Sequence, residues 1–175
     1  FGNLTLLTDL DLSHASLTGT IPNSLCNLVQ LTSLRLGYNL DLSGTIPVGF
    51  GQLYQLTTLK LPGATLTGTI PASLGQLHWL NYLWVGGNTD LTGSIPAELG
   101  ELSALYQLDL SFASLTGTIP ASLGSLSMLN FGMMNDNLLT GSLPDGPTQY
   151  APSHVAGKYW AGGMNENLQR DKVIA

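Results

Sequence analysis

A leucine pattern recurs six times along this 175-residue chain and constrains its fold more than any other feature. The copies begin 24 or 25 residues apart, at Leu7, Leu31, Leu56, Leu80, Leu105 and Leu129. A fixed period in this range is typical of repeat architectures. One copy is too short to bury its own apolar side chains, so each copy must pack against the next. The pattern therefore predicts a stack of similar coils that share one continuous core.

Each copy contains two motifs that predict short strands. In Leu7-x-x-Leu10-x-Leu12 the apolar residues alternate with polar ones, which indicates a half-buried strand. The second motif, L-[T/S]-G-[T/S]-I-P, first spans residues 17–22 and last appears as LTGSLP at 139–144. Its glycine gives the backbone freedom, and its proline fixes φ and gives up a donor, so the chain must bend there. We expect a second short strand here, followed by a 3-10 or helical turn.

These two motifs resemble the plant-specific subfamily of leucine-rich-repeat proteins, over residues 1–144. The resemblance implies an α/β solenoid: a right-handed superhelix with a concave parallel β-sheet and short turns on the convex side. It also implies non-catalytic recognition of proteins or peptides, as in receptor-kinase ectodomains and polygalacturonase-inhibitor-like proteins. Location would then be secreted or at the cell surface. The paired cysteines that cap many secreted relatives are absent, since the chain has a single cysteine, Cys26.

The ninth position of the repeat alternates between two residue types. In order along the chain it is Ala15, Asn39, Ala64, Asn88, Ala113 and Asn137. In the family this asparagine bonds backbone groups of adjoining turns. Alanine lacks the amide, so the odd coils are predicted to hold buried backbone groups that need water or another partner.

The chain divides into a solenoid, residues 1–144, and a non-repeat tail, residues 145–175. The tail has no period but is rich in glycine, proline and aromatic residues, among them Tyr159 and Trp160. We expect it to dock on the solenoid or on a partner, with a short helix over residues 165–174. Phe1-Gly-Asn-Leu resembles the end of an earlier repeat, so the sequence is expected to be part of a longer chain.

Composition argues against several classes of function. Residues 1–144 contain two basic and eight acidic residues, a net charge of 2 − 8 = −6, whereas nucleic-acid binding requires a basic face. No apolar run approaches the 18 residues or so of a membrane span. Neither metal-ligand spacing nor a phosphate loop nor a nucleophile motif is present. We therefore predict a protein that is not an enzyme and has no cofactor or metal.

The strand frame predicts which side chains leave the concave sheet. In the first three coils these positions are mostly small or polar, but in the last three they include Tyr82, Trp84, Tyr106, Phe112, Phe131 and Met133. Exposed aromatic residues on adjacent strands are typical of binding hot spots. With Tyr159 and Trp160 of the tail they predict a surface for a protein or peptide partner, or for a larger assembly in which the chain is a scaffold or accessory subunit. For a subunit of a larger assembly, the alternative location is an organelle. The other interpretation of the aromatic patch is that the chain's own tail covers it.

The second motif supports a different hypothesis. Its flanking hydroxyl residues are predicted to point outward in two regular files, as a hydroxyl and methyl lattice suited to ice; the threonines are Thr18, Thr20, Thr45, Thr67, Thr69, Thr92, Thr116, Thr118 and Thr140. Some plant leucine-rich-repeat proteins bind ice. A third alternative is an inhibitor of a secreted cell-wall-degrading enzyme. Asn3-Leu-Thr5 matches a glycosylation sequon.

Overall fold

A computed structural model describes residues 3–144 and the backbone of Leu168–Gln169. One parallel sheet contains the first strand of every coil, and we call it the concave sheet. Its strands, in spatial order, are β1 (Asp9–Asp11), β3 (Ser33–Arg35), β5 (Thr58–Lys60), β7 (Tyr82–Trp84), β9 (Gln107–Asp109) and β11 (Phe131–Met133). Equivalent residues of successive coils pair, as Leu10 does with Leu34. The predicted leucine-rich-repeat solenoid is confirmed.

A second parallel sheet contains the L-[T/S]-G-[T/S] motifs, as predicted. Its strands are β2 (Thr18–Thr20), β4 (Asp41–Thr45), β6 (Thr65–Thr69), β8 (Leu91–Ser94), β10 (Ser114–Thr118), β12 (Leu138–Ser142) and β13 (Leu168–Gln169). Here the register is shifted by two residues from the repeat frame. Thr20 of one coil pairs with Ser43 of the next, and Thr18 pairs with Asp41.

A short 3-10 helix follows the second strand in each of the first five coils. These helices are η1 (Asn23–Asn27), η2 (Val48–Gln52), η3 (Ala72–Gln76), η4 (Ala97–Glu101) and η5 (Ala121–Ser125). Each begins directly after the proline of the second motif. At η1, Pro22 has an extended backbone (φ −74°), and its carbonyl accepts a bond from Leu25 N–H. The expected 3-10 turns are thus confirmed for these coils.

The core is one leucine column that is best packed in the middle of the stack. Leu34, Leu59 and Leu83 are completely buried. In the first coil Leu7 and Leu12 are only partly buried. Each fully buried leucine contributes roughly 1.5–3 kcal/mol relative to exposure, so the middle coils hold the stack together more strongly than the first.

The asparagines of the even coils bond the buried backbone groups that the alanines of the odd coils leave without a partner. Asn39 Oδ1 accepts from the N–H groups of Ala15 and Leu17 in the preceding coil, at 2.9 and 3.0 Å. Its Nδ2 donates to Leu12 O in that coil and to Leu36 O in its own, at 3.0 and 2.7 Å. Asn88 and Asn137 repeat this arrangement. One buried amide therefore bonds backbone groups of two coils. The partner that the odd coils were predicted to need is the asparagine of the next coil.

The described part of the tail differs from the expected helix. Leu168–Gln169 form a strand, β13, that pairs with Gly141 and Ser142 at the edge of the second sheet. The helix prediction is wrong at these two residues, because their backbone extends the edge of a sheet. Tyr159 and Trp160 lie outside the described residues, so their role stays a prediction.

Among described residues no helix is long and apolar enough to cross a membrane.

Candidate ligand-binding surface

Three aromatic side chains form a continuous row on the concave sheet, and we call this row the aromatic ladder: Tyr82, Tyr106 and Phe131. The ring centroids of Tyr82 and Tyr106 lie 6.2 Å apart, and those of Tyr106 and Phe131 lie 6.4 Å apart. Both pairs meet edge to face, with interplanar angles of 73° and 76°. Asn130 Nδ2 donates to the Tyr106 hydroxyl at 2.8 Å. The ladder is thus held in place by aromatic contacts and a hydrogen bond.

Exposure separates the predicted partner-binding residues into two groups. Tyr106, Phe112 and Phe131 are exposed, with 36%, 54% and 42% of their surface accessible. Tyr82, Trp84 and Met133 are half-buried, so the prediction that they stand free in solvent is wrong. The reason is packing between neighbouring strands of the concave sheet, where a large side chain is covered by the one beside it.

Trp84 shows how that covering works. Lys60 Nζ lies 3.4 Å from the centroid of the Trp84 ring and 5.3 Å from that of Tyr82. Trp84 Nε1 is buried without a hydrogen-bond partner. The lysine therefore occupies one face of the indole through a cation–π contact. The same lysine also lies over Tyr82, so it links Trp84 to the first ring of the aromatic ladder.

Two small residues at outward positions of the early strands are less exposed than the sequence predicts. Ser33 and Thr58 keep only 5% and 7% of their surface accessible. Thr58 pairs with Ser33 on one side and with Tyr82 on the other. A small side chain between longer ones loses contact with water even on an outward-facing position. Exposure on the concave sheet therefore varies from strand to strand: Asp9 and Asp11 of β1 are exposed, and so are Tyr106 and Phe131 towards the other end.

Both basic residues of the solenoid lie on this sheet and are already engaged. Arg35 contacts Asp11 at 3.4 Å and Asp9 at 4.0 Å. The backbone N–H of Ser13 and the nearby Arg35 hold the pKa of Asp11 below its usual range. Burial, with a smaller effect from Arg35, lowers the pKa of Lys60. The charge that remains available on the solenoid is acidic.

The threonines proposed for ice binding do line the second sheet. All nine are exposed except Thr67, which is half-buried. Their files are staggered, because the second hydroxyl of one coil pairs with the first of the next, as in Thr45 with Thr67 and Thr69 with Thr92. Several first-file hydroxyls also donate to the glycine carbonyl of the preceding coil; these bonds run from Ser43 to Gly19, Thr67 to Gly44, Thr92 to Gly68 and Thr140 to Gly117. The two files are therefore offset between neighbouring coils, and part of the hydrogen-bonding capacity of the first file is used within the sheet.

Two other sequence expectations concern the surface. Asn3 of the sequon is exposed, so it stays a candidate for glycosylation. Within residues 3–144 no group of three or more histidine, cysteine, aspartate or glutamate side chains is arranged to hold a metal ion.

Comparisons with known proteins agree with this architecture. A leucine-rich-repeat family profile matches residues 6–28 and 104–126. The ectodomain of the receptor kinase HAESA from Arabidopsis, solved with an N-terminally extended IDA peptide hormone, is 40% identical over 83% of this chain and 24% of that one, with a TM-score of 0.78. This chain is a plant-type leucine-rich-repeat protein.

Other solved structures similar to this leucine-rich-repeat protein include a second hormone receptor and an ice-binding protein. The plant peptide hormone receptor RGFR1, in complex with RGF2, is 35% identical over 83% of this chain and 24% of that one, with a TM-score of 0.80. A plant ice-binding protein is 33% identical over 79% of this chain and 43% of that one, with a TM-score of 0.70. The chain spans about a quarter of these receptor structures. A comparison with curated protein sequences finds no match.

Sequence reasoning missed one aromatic contact of this leucine-rich-repeat protein. His14 and Tyr38 stack at the rim of the concave sheet, with ring centroids 4.6 Å apart and planes 12° from parallel. They occupy the eighth position of the first and second coils. Listing that position down all six repeats would have found it, since the two rings fall at the same place in consecutive coils.

Proposed function

We propose that this protein is a non-catalytic recognition module that binds a peptide or a segment of a partner protein on its concave sheet. The observation that supports this most directly is the aromatic ladder, an organised row of rings that is exposed at Tyr106 and Phe131. Aromatic residues held in place before binding lose little conformational freedom when a partner arrives, which is typical of hot spots. The receptor ectodomains that this chain resembles were solved with peptide hormones bound.

The ring orientations favour an irregular partner over a flat one. Because neighbouring rings are nearly perpendicular, the ladder presents alternating edges and faces and has no single plane. Apolar side chains of an extended peptide fit between such rings, whereas a planar polysaccharide surface needs coplanar ones. The proposal includes a location outside the cell, as for receptor ectodomains. If the partner is a larger protein, we propose that this chain is a subunit of a multi-subunit assembly.

The first prediction tests the ladder with a displayed library of random peptides. We expect the wild-type protein to select peptides with apolar residues, and the double variant Tyr106→Ala/Phe131→Ala to bind them at least about 100-fold more weakly, since two hot-spot residues are lost. Affinities are measured by titration, and circular dichroism checks the fold.

A matched control uses exposed aromatic residues outside the concave sheet. Tyr54 and Trp79 are 57% and 69% exposed and lie in turns between a 3-10 helix and the next concave strand. The double variant Tyr54→Ala/Trp79→Ala should bind the same peptides as the wild type. Equal loss in both double variants, or selection of no peptides by the wild type, would contradict the proposal.

Ice binding is the second candidate, and the exposed threonines of the second sheet favour it. Neighbouring strands bring threonines together in the pairs Thr69 with Thr92 and Thr118 with Thr140. Strands in a sheet lie about 4.8 Å apart, so these pairs form a regular surface of methyl and hydroxyl groups. One similar structure is that of a plant ice-binding protein.

The second prediction tests this candidate directly. If the second sheet binds ice, Thr69→Lys together with Thr118→Lys should remove inhibition of ice recrystallisation, because long charged side chains break the flat surface. Thr57→Lys, next to β5 of the concave sheet, is the control and should leave the inhibition intact. A wild-type protein that neither shapes ice crystals nor slows their growth eliminates this candidate.

A further inference from the structure

The eighth residue of every coil has a left-handed backbone. The six φ values are +56° at His14, +59° at Tyr38, +62° at Gly63, +73° at Gly87, +51° at Phe112 and +56° at Asp136. This residue forms the rim of the concave sheet. Glycine accepts such a backbone without cost, as in the third and fourth coils.

Bulky rings at three of these positions are unusual. For a large side chain a positive φ is a rare and strained conformation, and such residues cluster at functional sites. A backbone bond to the next coil holds each of them in place: His14 N–H to Gly37 O, Tyr38 N–H to Pro62 O and Phe112 N–H to Asn135 O. The fold thus accommodates side chains at this position, and aromatic residues occupy it in three coils although glycine has the least backbone strain there.

The rings and glycines together form a notch, which we define by Tyr38, Gly63, Gly87 and Phe112. One face of the Tyr38 ring is stacked on His14, and a Cβ at Gly63 would lie 3.0 Å from Tyr38 Cδ1. Gly63 and Gly87 contribute no side chains, and exposed Phe112 follows them. Three steps between strands, at about 4.8 Å each, separate Tyr38 from Phe112 by about 14 Å.

An acidic group borders this notch on the side of the concave sheet. A Cβ at Gly86, the neighbour of Gly87, would lie 2.6 Å from Asp109 Oδ1. That oxygen accepts from Ser111 N–H at 3.0 Å and from Ser111 Oγ at 2.6 Å, so the carboxylate is held in place. Among residues 3–144 the ion pairs all involve Arg35, and Asp109 takes part in none.

We propose that the rim notch binds the guanidinium group of an arginine presented by a partner protein or peptide. The stacked His14 and Tyr38 rings show that planar groups fit this column at a spacing of 4.6 Å. A guanidinium is planar, stacks on aromatic faces and bonds a carboxylate through two N–H groups. Charge supports the same occupant, since the solenoid is acidic and both of its own basic residues are engaged elsewhere. This site goes beyond the aromatic ladder and does not depend on it.

The test is a titration of the isotope-labelled full chain with N-acetyl-arginine amide, followed through backbone amide chemical shifts at about 0.15 M salt to screen distant charges. Saturable shifts are expected at Gly63, Gly86, Gly87 and Phe112, with a dissociation constant of roughly 1–10 mM for so small a probe. N-acetyl-citrulline amide has the same shape without the charge and should bind at least about tenfold more weakly.

Three variants complete the experiment. Asp109→Asn should weaken arginine binding at least about tenfold, because the charge-assisted bonds are lost. Gly87→Asn should also abolish it by filling the notch: asparagine tolerates a positive φ, and its Cβ would lie 3.2 Å from Gly63 N, a tight contact that needs a small shift. Asp90→Asn, which changes an exposed acid elsewhere, should have no effect. The amide spectra show whether each variant is folded. If Asp109→Asn does not fold, the arginine affinity of Gly87→Asn tests the proposal instead.

The inference is overturned if no saturable shift occurs at the notch up to about 50 mM probe. Equal binding of citrulline, or an equal effect of Asp90→Asn, overturns it too. If the peptide selection fails but the arginine titration is positive, the ladder proposal is rejected and the notch proposal stands. If the selection succeeds but the titration is negative, the notch proposal is rejected and the ladder proposal stands.

Discussion

At the scale of single residues, the asparagines at the ninth position satisfy buried backbone groups in two coils each. Asn88 accepts from Leu66 N–H at 3.2 Å and donates to Leu61 O and Val85 O at 3.0 and 2.7 Å. All of these groups are buried, so water cannot replace a missing partner without opening the core. This explains why alanine is sufficient in every second coil.

The third prediction follows from that geometry. Asn88→Ala leaves three buried backbone groups without their partner, at about 1–3 kcal/mol each, so we expect the free energy of unfolding to fall by about 3–5 kcal/mol. Urea denaturation measures this loss. Asn135→Ala is the control, since within residues 3–144 its side-chain amide bonds the adjacent Asp136 carboxylate at an exposed position; a change within about 0.5 kcal/mol is expected there. Similar losses in both variants would contradict the shared role of Asn88.

At the scale of elements, the second sheet is fitted together by the shift in its register. The shift places the side chain of one coil over the glycine of the next. A Cβ at Gly44 (φ +77°) would lie 2.8 Å from Thr20 Cγ2, whereas a Cβ at Gly19 (φ +78°) would meet no atom within 4 Å. The two glycines share a backbone conformation and differ in their surroundings.

The fourth prediction uses this pair to separate backbone strain from a steric clash. Gly19→Ala should cost about 1–2 kcal/mol through its positive φ alone. Gly44→Ala should cost about 2–4 kcal/mol, because contact with Thr20 adds to the strain. Thermal and urea unfolding measure both. Adding Thr20→Ser to Gly44→Ala should recover about 1 kcal/mol by removing the methyl group, and equal costs for the two single variants would argue against the contact.

At the scale of the whole molecule, stability is distributed unevenly along the stack. Leu59 and Leu83 in the middle coils are completely buried, while Leu10 in the first coil keeps 7% of its surface accessible. In a repeat protein each coil is stabilised mainly by its neighbours, and within the described residues β1 and β2 form the edges of their sheets. Within residues 3–144 the first coil therefore pairs with one neighbouring coil, whereas each middle coil pairs with two.

The fifth prediction is a gradient of hydrogen exchange. Amides of β1 and β2 should exchange through local opening, at least about tenfold faster than amides of β5 and β7, which need opening of the middle of the stack. Exchange followed by mass spectrometry or amide spectra measures the difference. Uniform protection across these four strands would show that the first coil is as stable as the middle ones.

The sequence by itself determined the architecture of this protein. The 24- to 25-residue period, the alternating leucines and the Gly-x-Ile-Pro bend specify both sheets and the 3-10 turns, because each of these features is local and is repeated in every coil. The same reasoning placed aromatic residues such as Tyr106 and Phe131 on the concave sheet. Local patterns of this kind need no knowledge of which neighbours touch.

Only the tertiary structure decided how those residues are used. The pattern gives the side of a strand on which Trp84 lies, but contact with Lys60 from the adjacent coil covers one face of its ring, and the side chain is half-buried. The same applies to the amide of Asn39, which reaches back one coil, and to the hydroxyl of Thr92, which bonds the preceding strand. These outcomes depend on register and on contacts between residues about 24 positions apart, and a repeat read one coil at a time does not contain that information.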